Sequence, residues 1–118
     1  MTASYRVKRV SVVPDQVDVI FDELRKFSRN FSLVLTSGGI GPTNDDVTYE
    51  AAAAAFDDCL TENSYLGSFV QSWFKTSDRS KPCFKLAQIP SRATLNFSAN
   101  KANRFPVVSV NGNYGCKW

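Results

Sequence analysis

Residues 36–56, TSGGIGPTNDDVTYEAAAAAF, hold three glycines, a proline, two adjacent aspartates and five alanines. An apolar run of strand length, FSLVLT at 31–36, leads straight into the glycines. After the aspartates comes a segment with helical spacing, in which Val47, Ala51 and Ala55 form one stripe and Tyr49, Ala53, Phe56 and Leu60 another. A helix over 47–60 that is apolar on two sides predicts burial against a sheet on one face and against a partner or lid on the other. In parallel α/β sheets ligands gather beyond the carboxyl ends of the strands, where residues 38–46 would sit. Glycine leaves main-chain amides free to turn towards an anion, and the helix start that follows carries partial positive charge.

Two readings of this loop fit the residues. The phosphate-loop pattern G-x-x-x-x-G-K-[ST] fails because no lysine follows Gly41, and the dinucleotide pattern G-x-G-x-x-G fails at Asn44. Thr43-Asn44-Asp45-Asp46 has capping-box spacing, so a glycine turn before a capped helix accounts for the pattern as well as a ligand loop does. One aspartate suffices as a cap, which leaves the other to hold a cation or act as a base. Glu50 stands four residues after Asp46 and would share a helix face with it, in reach of the same hard cation; a solvated helix position is the simpler account.

Outward from the loop, VKRVSVV at 7–13 is β-branched and stops at Pro14, which predicts a strand. Asp15 is placed to cap the next segment, QVDVIFDELRKFS at 16–28, where Val17, Ile20, Phe21, Leu24 and Phe27 make one helical stripe. Leu66, Phe69, Val70 and Trp73 predict a third helix ending near Phe74, followed by a polar loop at 76–82. FKLAQIP at 84–90 is a strand candidate closed by Pro90; a short segment at 93–97, a loop at 98–104 and the apolar run FPVVSV at 105–110 complete the pattern. This order predicts a three-layer α/β/α domain with a mainly parallel sheet.

At 118 residues and 43% hydrophobic content the chain is one domain's worth of material, residues 1–118. The net charge of +3 conceals a split: residues 1–62 carry 10 acids and 6 bases, residues 63–118 carry 1 acid and 8 bases. The bases, Lys85 and Arg92 among them, are dispersed, so the pattern does not point to nucleic acid. With no histidine, acid–base work falls to carboxylates, lysines, tyrosines or a metal-bound water. Cys59, Cys83 and Cys116 are an odd set without C-x-x-C spacing, which indicates reduced thiols rather than a disulfide framework or zinc site. MTASYRVKRV lacks the apolar segment of a signal peptide, and no run approaches the roughly 20 apolar residues that span a bilayer. A soluble, cytoplasmic protein without membrane contact is the expectation.

The run Gly38-Gly39-Ile40-Gly41-Pro42-Thr43, followed by Asp45-Asp46-Val47-Thr48 and Glu50, resembles the signature of the molybdopterin-binding (molybdenum cofactor biosynthesis) domain family. RVSVVPDQV at 9–17, VLTSGGIGPTNDDVTYEA at 34–51 and FPVVSV at 105–110 resemble, more narrowly, its branch in animal FAD synthase, with the competence-damage proteins as cousins. The resemblance covers residues 6–110 and implies a three-layer α/β domain that binds FAD or a related nucleotide or pterin phosphate. Ser37, Gly38, Gly39, Gly41 and Thr43 would then form the phosphate-binding loop. Asp46 takes the position of the family's functional aspartate and Asp45 that of the extra acid of the FAD synthase branch, both as catalytic and metal-holding residues for cobalt, magnesium or manganese.

The family pattern also has a strand ending in Gly-Asp-Glu before these runs and Phe-Pro-Gly-x-Pro after them; here Val110 leads into NGNYGCKW, so a truncated domain lacking the first strand and the C-terminal end is expected. The implied chemistry is metal-dependent pyrophosphate hydrolysis of FAD or ADP-ribose. The alternative is a non-catalytic nucleotide- or pterin-binding or regulatory fragment, able to associate with itself or with full-length FAD synthase. The FMN adenylyltransferase domain is not among the matched runs, so FAD synthesis is not expected of this chain.

Overall fold

The structure, a computed structural model, describes residues 4–97 and 105–110. In chain order these form α1 (Val17–Asn30), α2 (Thr48–Ala55), β1 (Leu60–Glu62), α3 (Ser64–Phe74), a 3-10 helix (Pro82–Ala87), β2 (Gln88–Pro90), β3 (Thr94–Asn96) and β4 (Val107–Ser109). The result is a mixed α/β fold with small sheets. The expected loop at 98–104 and the segment after Val110 lie outside the described residues.

The amphipathic stripe of α1 turns Ile20 and Leu24 inward, where they meet Ala51, Ala52 and Ala55 of α2 together with Val34, Phe56 and Val110. Alanines permit this: Ala51, Ala52 and Ala55 have 0% exposure, and their small side chains let α1 approach one side of α2 while β2 packs on it as well. A second cluster joins Tyr49 of α2 to Leu66, Ala87, Ile89 and Val108. α2 is thus the shared wall of both clusters, as its two apolar stripes predict.

The capping expectations fail in instructive ways. Gln16, not Asp15, stands at the start of α1, and no side chain caps it. Val47 stands at the start of α2, again without a side-chain cap. The helix ends at Ala55 rather than Leu60, because Asp57 turns the chain with φ 53° and the Asp58 carboxylate accepts from the Cys59 amide at 2.8 Å, the Arg92 amide at 3.0 Å and the Ser91 hydroxyl. Leu60 is thereby released into β1. α3 matches its stripe, with Asn63 Oδ1 capping the Leu66 amide at 3.0 Å. The predicted strand at 84–90 is split, since Pro82 opens a 3-10 helix and only Gln88–Pro90 is extended.

The expected mainly parallel sheet does not appear among the described residues. Both ladders are antiparallel: β1 pairs β2 with Thr61 opposite Ile89, and β3 pairs β4 with Leu95 opposite Val108. Residues 7–13 belong to no helix or ladder, leaving Val7, Val10 and Val12 at 78%, 78% and 94% exposure. Residues 31–36 contribute a single bridge, at Val34. A cleft of about 530 Å³ lies between these two segments, spanned by the Arg9 guanidinium 5.8 Å from the Phe31 ring centre. Strand propensity is present in both, but among the described residues neither extends into a ladder: residues 7–13 pair with nothing and residues 31–36 stop at the one bridge.

Candidate functional site

The glycine loop is folded by its own polar groups and by the start of α2. Gly38 and Gly39 take φ of 90° and 70°, a region open to glycine, and the Thr48 hydroxyl donates to the Gly38 carbonyl at 3.0 Å while the Thr48 amide donates to the Gly39 carbonyl at 3.0 Å. A Cβ on Gly39 would collide with Thr48 Oγ1. Thr48 therefore fixes the turn from below, buried at the first position of α2. The sequence carried a signal for this, a hydroxyl residue at a helix start two positions after Asp46.

Further along, the Thr43 amide and hydroxyl both donate to Asp46 Oδ2, at 3.0 and 2.6 Å, and the Asp46 amide returns a bond to the Thr43 carbonyl at 3.1 Å. The capping-box residues thus close a turn ahead of α2 instead of capping it. Hydrogen bonds from the Thr43 hydroxyl and amide, aided by Lys85, hold the Asp46 carboxyl below the usual carboxylate range. Gly41 lies against this carboxylate: a Cβ there would stand 2.8 Å from Asp46 Oδ2.

Of the residues expected at the site, Gly41, Thr43 and Asp46 come together, Gly39 shares a small cavity with Gly41 and Asp46, and Gly38 is tied to the same turn as Gly39 by Thr48. Ser37 and Asp45 are exposed, and Asp45 makes no hydrogen bond or ion pair with the described residues. Asp46 lies outside α2, so it does not share a helix face with Glu50; both nonetheless line a small cavity of about 40 Å³ with Gly39, Gly41, Tyr49 and Lys85. That space suits a few waters or one phosphate-sized group, not a nucleoside. On its other side Gly39 borders a cleft of about 570 Å³, lined by Val10, Val13, Ile20 and Leu24 with Ser37, Gly38 and Thr48 at its edge, large enough for a heterocycle.

Burial pushes the Tyr49 hydroxyl up to about 12, so it stays protonated and is no base at neutral pH. Among the described residues no three histidine, cysteine, aspartate or glutamate side chains converge as a metal site. Asp45 and Asp46 would fit a divalent ion only as partial ligands, in the manner of magnesium held by one or two carboxylates and by the phosphates of its substrate. Both Thr43 bonds fall on Asp46 Oδ2, leaving Oδ1 outside them. No helix among the described residues is long and apolar enough to cross a membrane.

Residues 1–114 match the family described as "Probable molybdopterin binding domain". The chain is 34% identical over 102 residues to a CinA-like protein of Akkermansia muciniphila, covering 83% of the chain and 24% of that protein. It is 32% identical over 123 residues to a probable FAD synthase of Caenorhabditis briggsae, covering 88% of the chain and 24% of that protein. The crystal structure of CinA from Thermoplasma acidophilum, of unknown function, superposes with a TM-score of 0.79 at 27% identity, covering 96% of this chain and 66% of that one. The chain spans from about a fifth to two fifths of the length of the curated relatives it matches.

Proposed function

The chain belongs to the molybdopterin-binding domain family, and from that premise we propose that it binds FAD or a related nucleotide or pterin phosphate at residues 37–46 and, with a divalent cation, cleaves the pyrophosphate. The observation that carries this reading is the loop itself: Gly38 and Gly39 held at positive φ by Thr48, at the start of α2, between a phosphate-sized cavity and a larger apolar cleft. The phosphates would occupy the small cavity and the ring system the cleft. Asp46 and Asp45 would hold the cation, which would neutralise phosphate charge and lower the pKa of its bound water. Within the chain, Thr43 keeps Asp46 ionised and aimed, and Thr48 keeps the glycine carbonyls turned away from the ligand.

The three-layer arrangement belongs to the same proposal; α1 on one side of α2 and β2 against it supports the layering. Calorimetry with FAD, FMN and ADP-ribose, and AMP release with cobalt, magnesium or manganese, test both halves. Absence of AMP release, or release unchanged in Asp46→Asn, ends the hydrolytic half. The non-catalytic reading is favoured by one feature, that Asp46 Oδ2 is already committed to Thr43. Binding without turnover is its expected result.

A further inference from the structure

Lys85 lies 42 residues beyond Thr43, in the 3-10 helix that follows the polar loop, yet its ammonium donates to the Thr43 carbonyl. It is the one lysine or arginine lining the small cavity among the described residues, and it faces Asp46 and Glu50 there. This creates a charge problem for any phosphate at the loop. Two carboxylates repel an incoming anion, and a single ammonium is the wall's only full positive charge against them. Backbone amides and the start of α2 add partial charge, which by itself does not offset two carboxylates.

The ammonium is also underused. It has three donors, and the Thr43 carbonyl takes one. A bond to a neutral carbonyl is the weaker kind for such a donor, whereas a bond to a phosphate oxygen is charge-assisted. The four-carbon stem allows the head to turn from one to the other without movement of the 3-10 helix. Because Thr43 bonds both Lys85 and Asp46, the same residue links the cation to the acid.

We propose that Lys85 is the phosphate-binding cation of this site, donating to an anionic oxygen of a diphosphate-bearing ligand seated against Gly39 and Gly41. The inference deepens the reading given above and rests on it. It also gives the proposed divalent ion a role: with Lys85 in place the lining still holds two carboxylates against one ammonium, and a cation bound with the diphosphate would correct the balance.

The test is calorimetric titration of wild type, Lys85→Gln and Lys85→Arg, in buffer containing magnesium, with inorganic pyrophosphate, ADP-ribose and adenosine. Lys85→Gln is expected to weaken pyrophosphate and ADP-ribose roughly tenfold or more and to leave adenosine unchanged, with Lys85→Arg recovering part of the loss. Equal affinity of wild type and Lys85→Gln for pyrophosphate overturns the inference while leaving the glycine-loop reading intact. Failure of wild type itself to bind pyrophosphate and ADP-ribose overturns both. An equal loss for adenosine marks Lys85 as a scaffold residue and overturns it too. Should Lys85→Gln melt, carbon NMR of the lysine Cε groups in wild type decides: a shift of Lys85 on saturation with pyrophosphate supports the inference, and an unmoved signal overturns it.

Discussion

Two stretches of this chain are built from residues with strong local preferences, and they end up in opposite conditions. Residues 51–55 are alanines that form a helix with three members fully buried. Residues 7–13 are rich in valine and carry a strand's propensity, yet they join no ladder and leave Val12 at 94% exposure. The difference is in where main-chain hydrogen bonds go. A helix supplies its own partners, so α2 needed only two apolar neighbours. A strand borrows its partners from elsewhere, and residues 7–13 find none among the described residues. Propensity names an element, but the neighbour decides whether it forms.

The contrast is tested hardest in the packed part. Leu66→Ala removes a side chain of 0% exposure from the cluster that joins α2, α3, β2 and β4. About 2–5 kcal/mol of stability should be lost, read as a lower urea midpoint at constant slope. A loss well under 1 kcal/mol would show that this part is no better packed than the exposed segment.

The loop separates backbone strain from packing. Gly38→Ala and Gly39→Ala both place a Cβ at positive φ, but around Gly38 nothing lies within 4 Å, whereas at Gly39 the Cβ meets Thr48. Each should lose about 1 kcal/mol or more from conformation, with Gly39→Ala losing more. Adding Thr48→Ala should recover part of the Gly39→Ala loss alone, a non-additivity that double-mutant melting curves would detect. Equal losses at both glycines would break the claim that Thr48 sets the turn.

The same division governs what was legible in the sequence. α1 and α3 were legible because Ile20/Leu24 and Leu66/Val70 repeat with the helix period and a helix is a local object. β1 was hidden, because Leu60 continues the apolar stripe of α2 and nothing about Asp57 announces a left-handed turn. Pro82 was a readable helix start that the apolar run FKLAQIP overrode. At the site, Gly38, Gly39, Gly41, Thr43 and Asp46 are contiguous and were found together. Lys85 was not, because only tertiary folding brings it to Thr43, and in the sequence it is one dispersed base among several.

The acid side of the pH profile tests the Thr43–Asp46 turn. The folded-state pKa of Asp46 lies below its ordinary value of 3.8, chiefly through the Thr43 hydroxyl and then the Thr43 amide. A depressed carboxylate stabilises the folded state fully above its unfolded pKa, and that contribution disappears as the pH falls through the lower, folded value. The stability difference between wild type and Asp46→Asn should therefore be constant at neutral pH and shrink below about pH 4. Asp58 and Asp78 are depressed as well, through Ser91 and Ser80 among other groups, and remain in both proteins, so their contributions cancel from the difference. A difference that stays flat to pH 2 would mean that the turn does not depend on the Asp46 charge.

The smallest effect belongs to the exposed segment and is the sharpest statement of the contrast. Val12→Ser replaces the most strand-like kind of residue in a predicted strand, a change that in a paired, half-buried strand would cost up to about 1 kcal/mol. Here the Val12 side chain is in water and its backbone has no ladder, so the change in stability should stay within about 0.5 kcal/mol. Hydrogen exchange supplies the matching backbone measurement. The amides of residues 7–13 should exchange close to the rate of an unfolded chain, while those of Ala52 to Ala55, bonded inside α2 and covered by α1, should be slowed towards the global unfolding limit. Protection of residues 7–13 comparable to α2 would show that this segment has found a ladder partner, and the two stretches would no longer differ.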